Sequence, residues 1–281
     1  MAVETAGGTR TDAARTETGA PQEATHVTAT LPHQLDRTIV IAAPPARVFQ
    51  YFTDPVRWAA WWGAGSTIDA RPGGRVFVKY PGGVEASGEV VEVTPPSRIV
   101  FTYGYDSGTP IAPGTSRVTI ALEKIAQGTR LRLTHALPDA AVRDEHVQGW
   151  RYQLSVFANV VADEVHGKAA ALVDAWFDAW AEADATTRAG RLAAIASAEV
   201  GVRDRYSCLA GAEDVTQHIA ASLRFMPGFR LQRSGEPRHC QGVVLADWTA
   251  IGPDGQTRAS GTNVFTLDAD GLIQSVTGFW K

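Results

Sequence analysis

The sequence predicts an α+β protein in which two domains follow one another, each with an antiparallel sheet and its own helices. The chain has 281 residues, which is long enough for two ordinary domains. Two stretches divided by Gly and Pro turns are typical of short antiparallel strands. Apolar residues at helical spacing close the first stretch and precede the second. The first domain is therefore predicted to be a helix-grip, an antiparallel sheet with a long C-terminal helix. The second is predicted to be a cone of three helices and a bent antiparallel sheet.

Composition disfavours several classes of function. The chain is 44% hydrophobic and 20% charged, with a net charge of −4, so nucleic acid and anionic membranes are not favoured partners. Its apolar runs are shorter than the ~20 residues that span a bilayer, and no secretory signal opens it. Cys208 and Cys240 are too few for a disulfide framework. We expect a reduced, cytoplasmic protein.

Residues 1–34 are predicted to form a disordered tail. The segment holds only Met1, Val3, Val27 and Leu31 as large apolar residues, among Ala, Thr, Gly, Glu and Arg. Such a composition cannot offset the entropy lost on ordering. Order is expected to begin at the next residue, with a first domain over 35–166.

Two short helices should follow the first strand, "RTIVIAA". Pro44 and Pro45 suit the start of one helix, and Asp54 is a predicted N-cap for the other, with Pro55 at its first position. This second helix carries "DPVRWAAWWGAG", in which three tryptophans form one stripe. We expect the first of them, Trp58, in the core, while the other two either pack in the core or line a cavity.

The rest of the first domain should be a run of strands and one long helix. "RPGG" and "PGG" are turns, and "SRVTIALEKI" and "TRLRLTHAL" form a hairpin around "AQGT". Apolar residues then recur at helical spacing. They are Val147, Trp150, Leu154, Phe157, Ala158 and Val161.

The motifs "APPARVFQYFTDPVRWAAWWG", "DARPGGRV", "GEVVEVTPPSRIVFTY", "GTRLRLTH" and "HVQGWRYQL" occur in a familiar order. On these, residues 36–162 resemble the START-like, or SRPBCC, superfamily, in the AHSA-type branch named for homologues of the heat-shock chaperone ATPase activator. The resemblance implies a helix-grip fold around an apolar cavity, and bacterial members are rarely tied to one reaction. Phe101 is expected in the core. The candidate ligand-binding residues here are Trp61, Trp62, Tyr80, Tyr103, Tyr105 and Trp150.

His135 and His146 are weak candidates for metal ligands. Asp139, Asp144 and Glu145 lie between them, but no tight ligand spacing occurs and no cysteine is near. We expect no metal and no cofactor.

A second domain is predicted over 167–281. "KAAALVDAWFDAWAEAD", "RAGRLAAIA" and "GAEDVTQHIAASLRFMPG" should be helices, with the strand "EVGVRDRY" between the last two. Four strands follow, and "GPDG" and "DADG" are hairpin turns.

This order, with "ADWTAIGPDGQT" and "FTLDADGLIQSV", resembles the nuclear-transport-factor-two-like superfamily over 168–281, nearest the SnoaL-like and ketosteroid isomerase branches. The resemblance implies a pocket that is catalytic in some members and only binds ligand in others. It places a carboxylate base at Asp204 and a hydrogen-bond donor at Asn263, while Trp176 stands where ketosteroid isomerase has a tyrosine. Alternatively, Asp204 pairs with Arg203 or Arg205, or caps a turn. Further ligand-binding candidates are Trp176, Tyr206 and Trp248.

Three hypotheses of function follow. The first is a two-pocket protein that binds a small apolar or aromatic molecule, polyketide-like or lipid-like. The second is an isomerase, cyclase or hydratase that abstracts a proton in the second pocket, and the third is a chaperone co-factor or stress-response regulator. A homodimer through the second domain is left open.

Overall fold

The computed structural model describes residues 31–281. The predicted tail lies almost entirely outside the described residues. The first strand begins at His33, so the last residues assigned to that tail, His33 and Gln34, belong to the sheet.

The first half is an antiparallel sheet with three helices. Its strands are β1 (His33–Ile41), β2 (Thr67–Ile68), β3 (Arg75–Lys79), β4 (Glu85–Thr94), β5 (Arg98–Tyr105), β6 (Ser116–Ile125) and β7 (Gly128–Leu137). Its helices are α1 (Pro45–Gln50), α2 (Pro55–Trp62) and α3 (Ala140–Val165). The strand order is β1-β7-β6-β5-β4-β3-β2. This is the predicted helix-grip arrangement.

Local sequence determines where the helices begin. Asp54 caps α2 as predicted, because its carboxylate accepts hydrogen bonds from the backbone N–H groups of Val56 at 2.8 Å and Arg57 at 3.1 Å. Asp139 caps α3 in the same way, through the N–H of Val142 at 2.9 Å. Capping satisfies donors that the first helical turn otherwise leaves unpaired.

Helix α3 buries one apolar face against the sheet. Its buried residues include Trp150, Leu154, Phe157, Ala158 and Val161, all of which the helical spacing predicted. The helix stops at Val165, one turn before the second half begins.

The second half has three helices and six strands. The helices are α4 (Ala169–Ala181), α5 (Ala185–Ile195) and α6 (Ala212–Phe225). The strands are β8 (Ala196–Arg203), β9 (Cys208–Ala210), β10 (Arg230–Cys240), β11 (Val243–Ile251), β12 (Thr257–Leu267) and β13 (Ile273–Trp280). Their order is β10-β11-β12-β13-β8-β9, and β13 pairs with β8 in parallel. The α+β class is confirmed, whereas β9 was not predicted, since three residues are too short to show alternation.

The two halves meet through α3 and the turn between β10 and β11. His239 contacts Asp163 across the junction, with Nδ1 and Oδ1 3.3 Å apart. Gly242 in this turn has a φ of +84°, which favours glycine, and a Cβ there would also press on Ala42 at 3.2 Å. Separate folding of the halves stays a prediction. No helix in the part of the chain that the structure describes is long and apolar enough to cross a membrane.

Candidate functional site

The three clustered tryptophans have different surroundings. Trp58 and Trp61 are buried, and their indole N–H groups donate to the carbonyl oxygens of Phe77 at 3.1 Å and Tyr51 at 3.2 Å. Trp61 packs edge-on against Phe157, with ring centroids 4.9 Å apart. Both residues therefore belong to the core. Trp61 was predicted as a ligand-binding residue, but it is buried and does not belong to the cavity wall. The rings of Phe52, Trp58, Trp62 and Phe157 surround it.

Trp62 is the tryptophan that faces a cavity. This first cavity has a volume of about 310 Å³ and lies between α3 and the sheet. Its walls are Trp62, Tyr80, Val84, Tyr103, Tyr105, Glu145, His146, Gly149, Trp150, Tyr152 and Gln153. Five of the six ligand-binding residues predicted for this half thus lie together.

Two tyrosines form a hydroxyl pair in this wall. The Oη atoms of Tyr80 and Tyr103 are 2.6 Å apart, a normal distance for an O–H···O hydrogen bond. Burial raises the pKa of Tyr80 and of Tyr103 above the usual range of a phenol. Both hydroxyls therefore stay neutral at physiological pH.

A buried histidine supports the same wall from behind. The indole N–H of Trp150 donates to Nδ1 of His135 at 3.0 Å, so this nitrogen is the acceptor and Nε2 carries the proton. Nε2 lies 2.8 Å from the hydroxyl oxygen of Ser116, which donates to the carbonyl of Tyr103 at 2.7 Å. Burial, followed by the nearby His146, lowers the pKa of His135 to about 3. His135 is a neutral structural group that fixes Trp150 and Tyr103.

Sequence reasoning did not predict Gln153 and His146 as ligand-binding residues of this cavity. Gln153 donates from its amide to the carbonyl oxygen of Trp61, and His146 contacts the carbonyl oxygen of Val142. His146 stands four positions before Trp150, so helical spacing places both on one face of α3. That spacing was the signal that could have found it.

The second cavity is larger and lies within the second half. It has a volume of about 610 Å³ between the helices and the concave face of the sheet. Its walls are Trp176, Phe177, Trp180, Val202, Arg203, Asp204, Tyr206, His218, Ala221, Ser222, Leu223, Phe225, Met226, Phe229, Leu231, Trp248, Ala250, Arg258, Ala259, Asn263, Val276, Gly278 and Trp280. All five residues predicted for this half are among them.

Aromatic rings come from both the helices and the sheet. Trp176 on α4 is 1% exposed and Trp248 on β11 is 4% exposed, whereas Tyr206 stands at the mouth and is 67% exposed. Trp248 lies across Gly261 of β12, where a Cβ would come within 2.5 Å of the indole ring. Glycine at this cross-strand position therefore lets the ring lie flat on the sheet.

Asp204 caps a turn, as one of the sequence alternatives held. Its Oδ1 accepts from the backbone N–H of Tyr206 at 2.7 Å and from the hydroxyl of Ser207 at 2.8 Å. Among residues 31–281 no hydrogen bond reaches Oδ2, and no arginine pairs with the carboxylate. One oxygen thus holds the turn, and the other has no partner in the described part of the chain.

Asn263 has an orientation set by Trp248. Its Oδ1 accepts from the indole N–H of Trp248 at 2.9 Å, so its amide NH₂ group is directed elsewhere. Strand register places Asn263 opposite Gly278, and Thr277 beside Arg203.

Gly278 separates the two polar groups. A Cβ there would lie 3.0 Å from Cβ of Asp204 and 3.1 Å from Oδ1 of Asn263. The order β12-β13-β8 therefore brings the carboxylate and the amide to either side of one residue without a side chain.

Several residues of the second cavity were not predicted as ligand-binding. Trp180 lies one helical turn after Trp176 on α4, and helical spacing could have identified it. Trp280 packs edge-on against Trp248 with ring centroids 5.0 Å apart, which depends on the pairing of distant strands. Within the described residues, no group of three His, Cys, Asp or Glu side chains could hold a metal ion.

Comparison with known proteins adds family information. Residues 42–162 match the family described as Activator of Hsp90 ATPase homolog 1-like protein. No curated protein matches the chain.

Three solved structures are similar to parts of the chain. A candidate isomerase of the SnoaL-like family from Agrobacterium tumefaciens strain C58 is 26% identical, covering 40% of this chain and 95% of that protein, with a TM-score of 0.39. Protein CV1439 from Chromobacterium violaceum is 29% identical, covering 46% of this chain and 97% of its own, with a TM-score of 0.39. CalU16 from Micromonospora echinospora is 27% identical, covering 47% of this chain and 76% of its own, with a TM-score of 0.37.

The match over residues 42–162 agrees with the resemblance found in the sequence of the first half. Residues 42–162 are thus similar to the Activator of Hsp90 ATPase homolog 1-like family, over less than half of the chain.

Proposed function

We propose that this is a two-pocket protein that binds small apolar or aromatic molecules, with the main site in the second cavity. The observation that carries the proposal is a volume of about 610 Å³ whose walls are mostly aromatic and aliphatic. Ligand sites are typically apolar clefts of ~300–1,000 Å³ with a few polar groups that orient the ligand.

The wall of the second cavity combines aromatic and polar groups. Trp176 and Trp248 belong to it from the helices and the sheet, and Asp204 and Asn263 supply polar groups. Apolar side chains at the rim, Phe225 among them, are exposed to solvent and give an apolar molecule a path inward.

Native mass spectrometry of the full chain, purified from its own host, tests the proposal. We expect a co-purified small molecule with an aromatic or extended apolar skeleton. Its affinity, measured by calorimetry, should fall at least tenfold in Ala221→Trp, because this substitution places an indole in the cavity.

Ala194→Trp is the matched control, since it adds the same ring at an exposed position of α5. It should leave the affinity unchanged. Equal affinity in both variants would place the ligand outside the second cavity and contradict the proposal.

A second candidate function is proton abstraction in the same cavity. It is favoured by the unbonded Oδ2 of Asp204 and the amide of Asn263 on either side of Gly278. In this scheme Asp204 removes a proton from a carbon next to a carbonyl, and the electron pair moves onto the carbonyl oxygen. The Asn263 amide donates to that enolate, and Asp204 returns the proton to another carbon, which completes an isomerisation without a cofactor.

A further inference from the structure

The rim of the second cavity gathers large apolar side chains that face solvent. Phe225, at the end of α6, is 84% exposed, and Met226 next to it is 47% exposed. Tyr206 and Trp280 are also exposed, and their rings pack edge-on with centroids 5.0 Å apart. All four residues belong to the cavity wall, and Phe225 is the most exposed large apolar residue among residues 31–281. Contiguous exposed apolar side chains of this kind mark a surface that meets a protein or a membrane.

The loop between α6 and β10 forms one side of this rim. Its sequence from Arg224 to Arg230 is "RFMPGFR". Residues 224–228 are all exposed, and Phe229 belongs to the cavity wall. The loop therefore presents an apolar segment to solvent with an arginine at each end.

The backbone of this loop is held against the neighbouring turn of the sheet. Gly228 has a φ of +78°, and a Cβ there would lie 2.9 Å from Cβ of Pro253, in the turn between β11 and β12. Arg230 stands opposite Ile251, the last residue of β11. The exposed apolar side chains are thus carried by a loop with a defined position beside the cavity.

The charged residues that adjoin these exposed apolar side chains in the sequence are all basic. They are Arg205, Arg224 and Lys281, and Arg230 ends the loop. Lys281 pairs with Asp247 at 3.3 Å, whereas none of the three arginines takes part in an ion pair among residues 31–281. Both sides of the rim therefore carry positive charge without a counter-charge from the described chain.

Acidic residues of the cavity wall do not cancel this charge. The charged residues of the wall are Arg203, Asp204 and Arg258, and Arg258 pairs with Asp254. Together with the three unpaired arginines, the rim has five arginines and two aspartates. The net charge of −4 does not favour an anionic partner for the whole chain, but attraction to a surface depends on charges within about one Debye length, ~8–10 Å.

We propose that this rim docks on a membrane surface that carries anionic lipids, with Phe225 and Met226 at the boundary between headgroups and acyl chains. Arg224 and Arg230 then contact the lipid phosphates. Exposed aromatic side chains next to basic residues bind membrane surfaces through burial of the rings and attraction to anionic lipids.

The place of the rim favours a membrane over a protein partner. The exposed side chains belong to the wall of an apolar cavity, and an apolar ligand partitions into the bilayer rather than into water. Docking brings the opening of the cavity to that source, whereas a protein seated on the rim would close it. The inference goes beyond the proposed function, because docking itself needs no ligand in either cavity.

Vesicle flotation of the full-length wild-type protein tests the docking. The vesicles are pure phosphatidylcholine, or phosphatidylcholine mixed with phosphatidylglycerol. We expect a dissociation constant at least tenfold lower on the mixed vesicles. It should rise between ~0.05 M and ~0.5 M salt, because salt screens exposed charges.

Two kinds of variant separate the charged and apolar contributions. Arg224→Gln combined with Arg230→Gln should weaken binding to mixed vesicles about 30-fold, since each basic side chain near an anionic surface contributes roughly fivefold. Phe225→Ser should weaken binding about tenfold through loss of the buried ring, while the preference for mixed vesicles stays.

Matched control variants make the same kinds of change in the first half. Arg117→Gln combined with Lys124→Gln removes two exposed positive charges from β6, and Val56→Ser removes an exposed apolar side chain from α2. Both controls should bind mixed vesicles like the wild type. Every substituted residue is exposed, and circular dichroism of each variant checks that the fold is kept.

Hydrogen exchange locates the contact without any substitution. The amides of residues 224–230 should exchange more slowly when the wild type is bound to mixed vesicles, while those of α2 should not change. Slower exchange confined to other parts of the chain would place the docking surface elsewhere and contradict the inference.

The outcomes distinguish this inference from the alternatives and from the proposed function. No binding to mixed vesicles, equal binding to both kinds, or equal losses in rim and control variants would overturn it. Binding of a single-stranded oligonucleotide without binding to vesicles would assign the basic rim to nucleic acid and overturn it as well. A co-purified ligand in a protein that does not bind vesicles would remove only this inference, whereas vesicle binding through the rim without any cavity ligand would remove only the proposed function.

Discussion

The two cavities differ in how their polar groups are held. In the first, a chain of hydrogen bonds through Trp150, His135 and Ser116 fixes the wall. In the second, Asp204 and Asn263 each use one atom for structure and leave the other without a bond in the described chain. A small, neutral and rigid wall suits selection of a ligand, whereas a carboxylate beside an amide donor can also move a proton.

The largest expected effect concerns turnover in the second cavity. Asp204→Asn should abolish turnover of conjugated ketones, with ligand affinity nearly unchanged, because shape is kept and the base is lost. Asn263→Ala should lower the rate by about 10²–10³, as for loss of one oxyanion donor. The measurement is an absorbance screen of conjugated ketones and polyketide-like phenols.

Tyr80→Phe is the control for turnover, since it removes a hydroxyl from the first cavity only. Equal rates in the wild type and Asp204→Asn would end the catalytic hypothesis. The proposal for the second half would then be limited to ligand binding.

As the pH falls, the first half should lose stability at a higher pH than the second half. His135 has a pKa of about 3 in the folded state, against about 6.5 in an unfolded chain. The folded state therefore disfavours the charged ring, so its stabilisation is complete above pH ~6.5 and is lost as the pH falls towards 3. The loss is about 1.4 kcal/mol for each pH unit in that window.

Urea unfolding at pH 7 and at pH 4.5, followed by tryptophan fluorescence, measures this loss. His135→Gln keeps one acceptor and one donor but does not titrate. The urea midpoint of its first unfolding transition should therefore decrease less between pH 7 and pH 4.5 than that of the wild type. The same decrease in both proteins would show that other groups cause the acid sensitivity.

Replacing one glycine in the wall of each cavity by alanine should have smaller effects, on ligand affinity in the second cavity and on stability in the first. In Gly278→Ala the new methyl group would lie 3.0 Å from Cβ of Asp204, and we expect ligand affinity in the second cavity to fall several-fold. At Gly149, in the first cavity, a Cβ meets nothing within 4 Å. Gly149→Ala should raise stability by about 0.5–1 kcal/mol, because glycine is unfavourable inside a helix.

Calorimetry and thermal melts of both variants check this pair. Unchanged affinity in Gly278→Ala would show that the carboxylate and amide do not contact the ligand. A lower melting temperature in Gly149→Ala would contradict the expected gain in helix stability.

The smallest expected effect is the loss of stability when the two halves are expressed as separate fragments. Residues 31–166 and 168–281 have their own sheets and apolar cores, so both should fold when expressed alone. The contact of His239 with Asp163 at the junction is largely exposed on the Asp163 side, and such pairs contribute at most about 1 kcal/mol. Circular dichroism and thermal melts of the fragments provide the measurement. A fragment that stays unfolded would mean that the junction is part of its core.

The sequence by itself determined the features that depend on near neighbours. The Asp54-Pro55 start of α2, the long amphipathic face of α3 and the turns at "GPDG" and "DADG" follow from capping, periodicity and turn chemistry. These signals lie within a few residues of the structure that they specify. The α+β class followed from these local patterns, and eight of the nine residues predicted to bind ligand line one of the two cavities, while ligand binding itself stays a prediction.

Only the tertiary structure decided what each side chain meets. Trp61 and Trp62 are adjacent on one helix and their ring centroids are 4.4 Å apart, yet Trp61 packs on Phe157 and Trp62 belongs to the wall of a cavity. Asp204 and Asn263 are far apart in sequence and come together because β13 pairs in parallel with β8 and antiparallel with β12. Strand pairing and ring packing depend on contacts between distant segments, and no local pattern in the sequence encodes them.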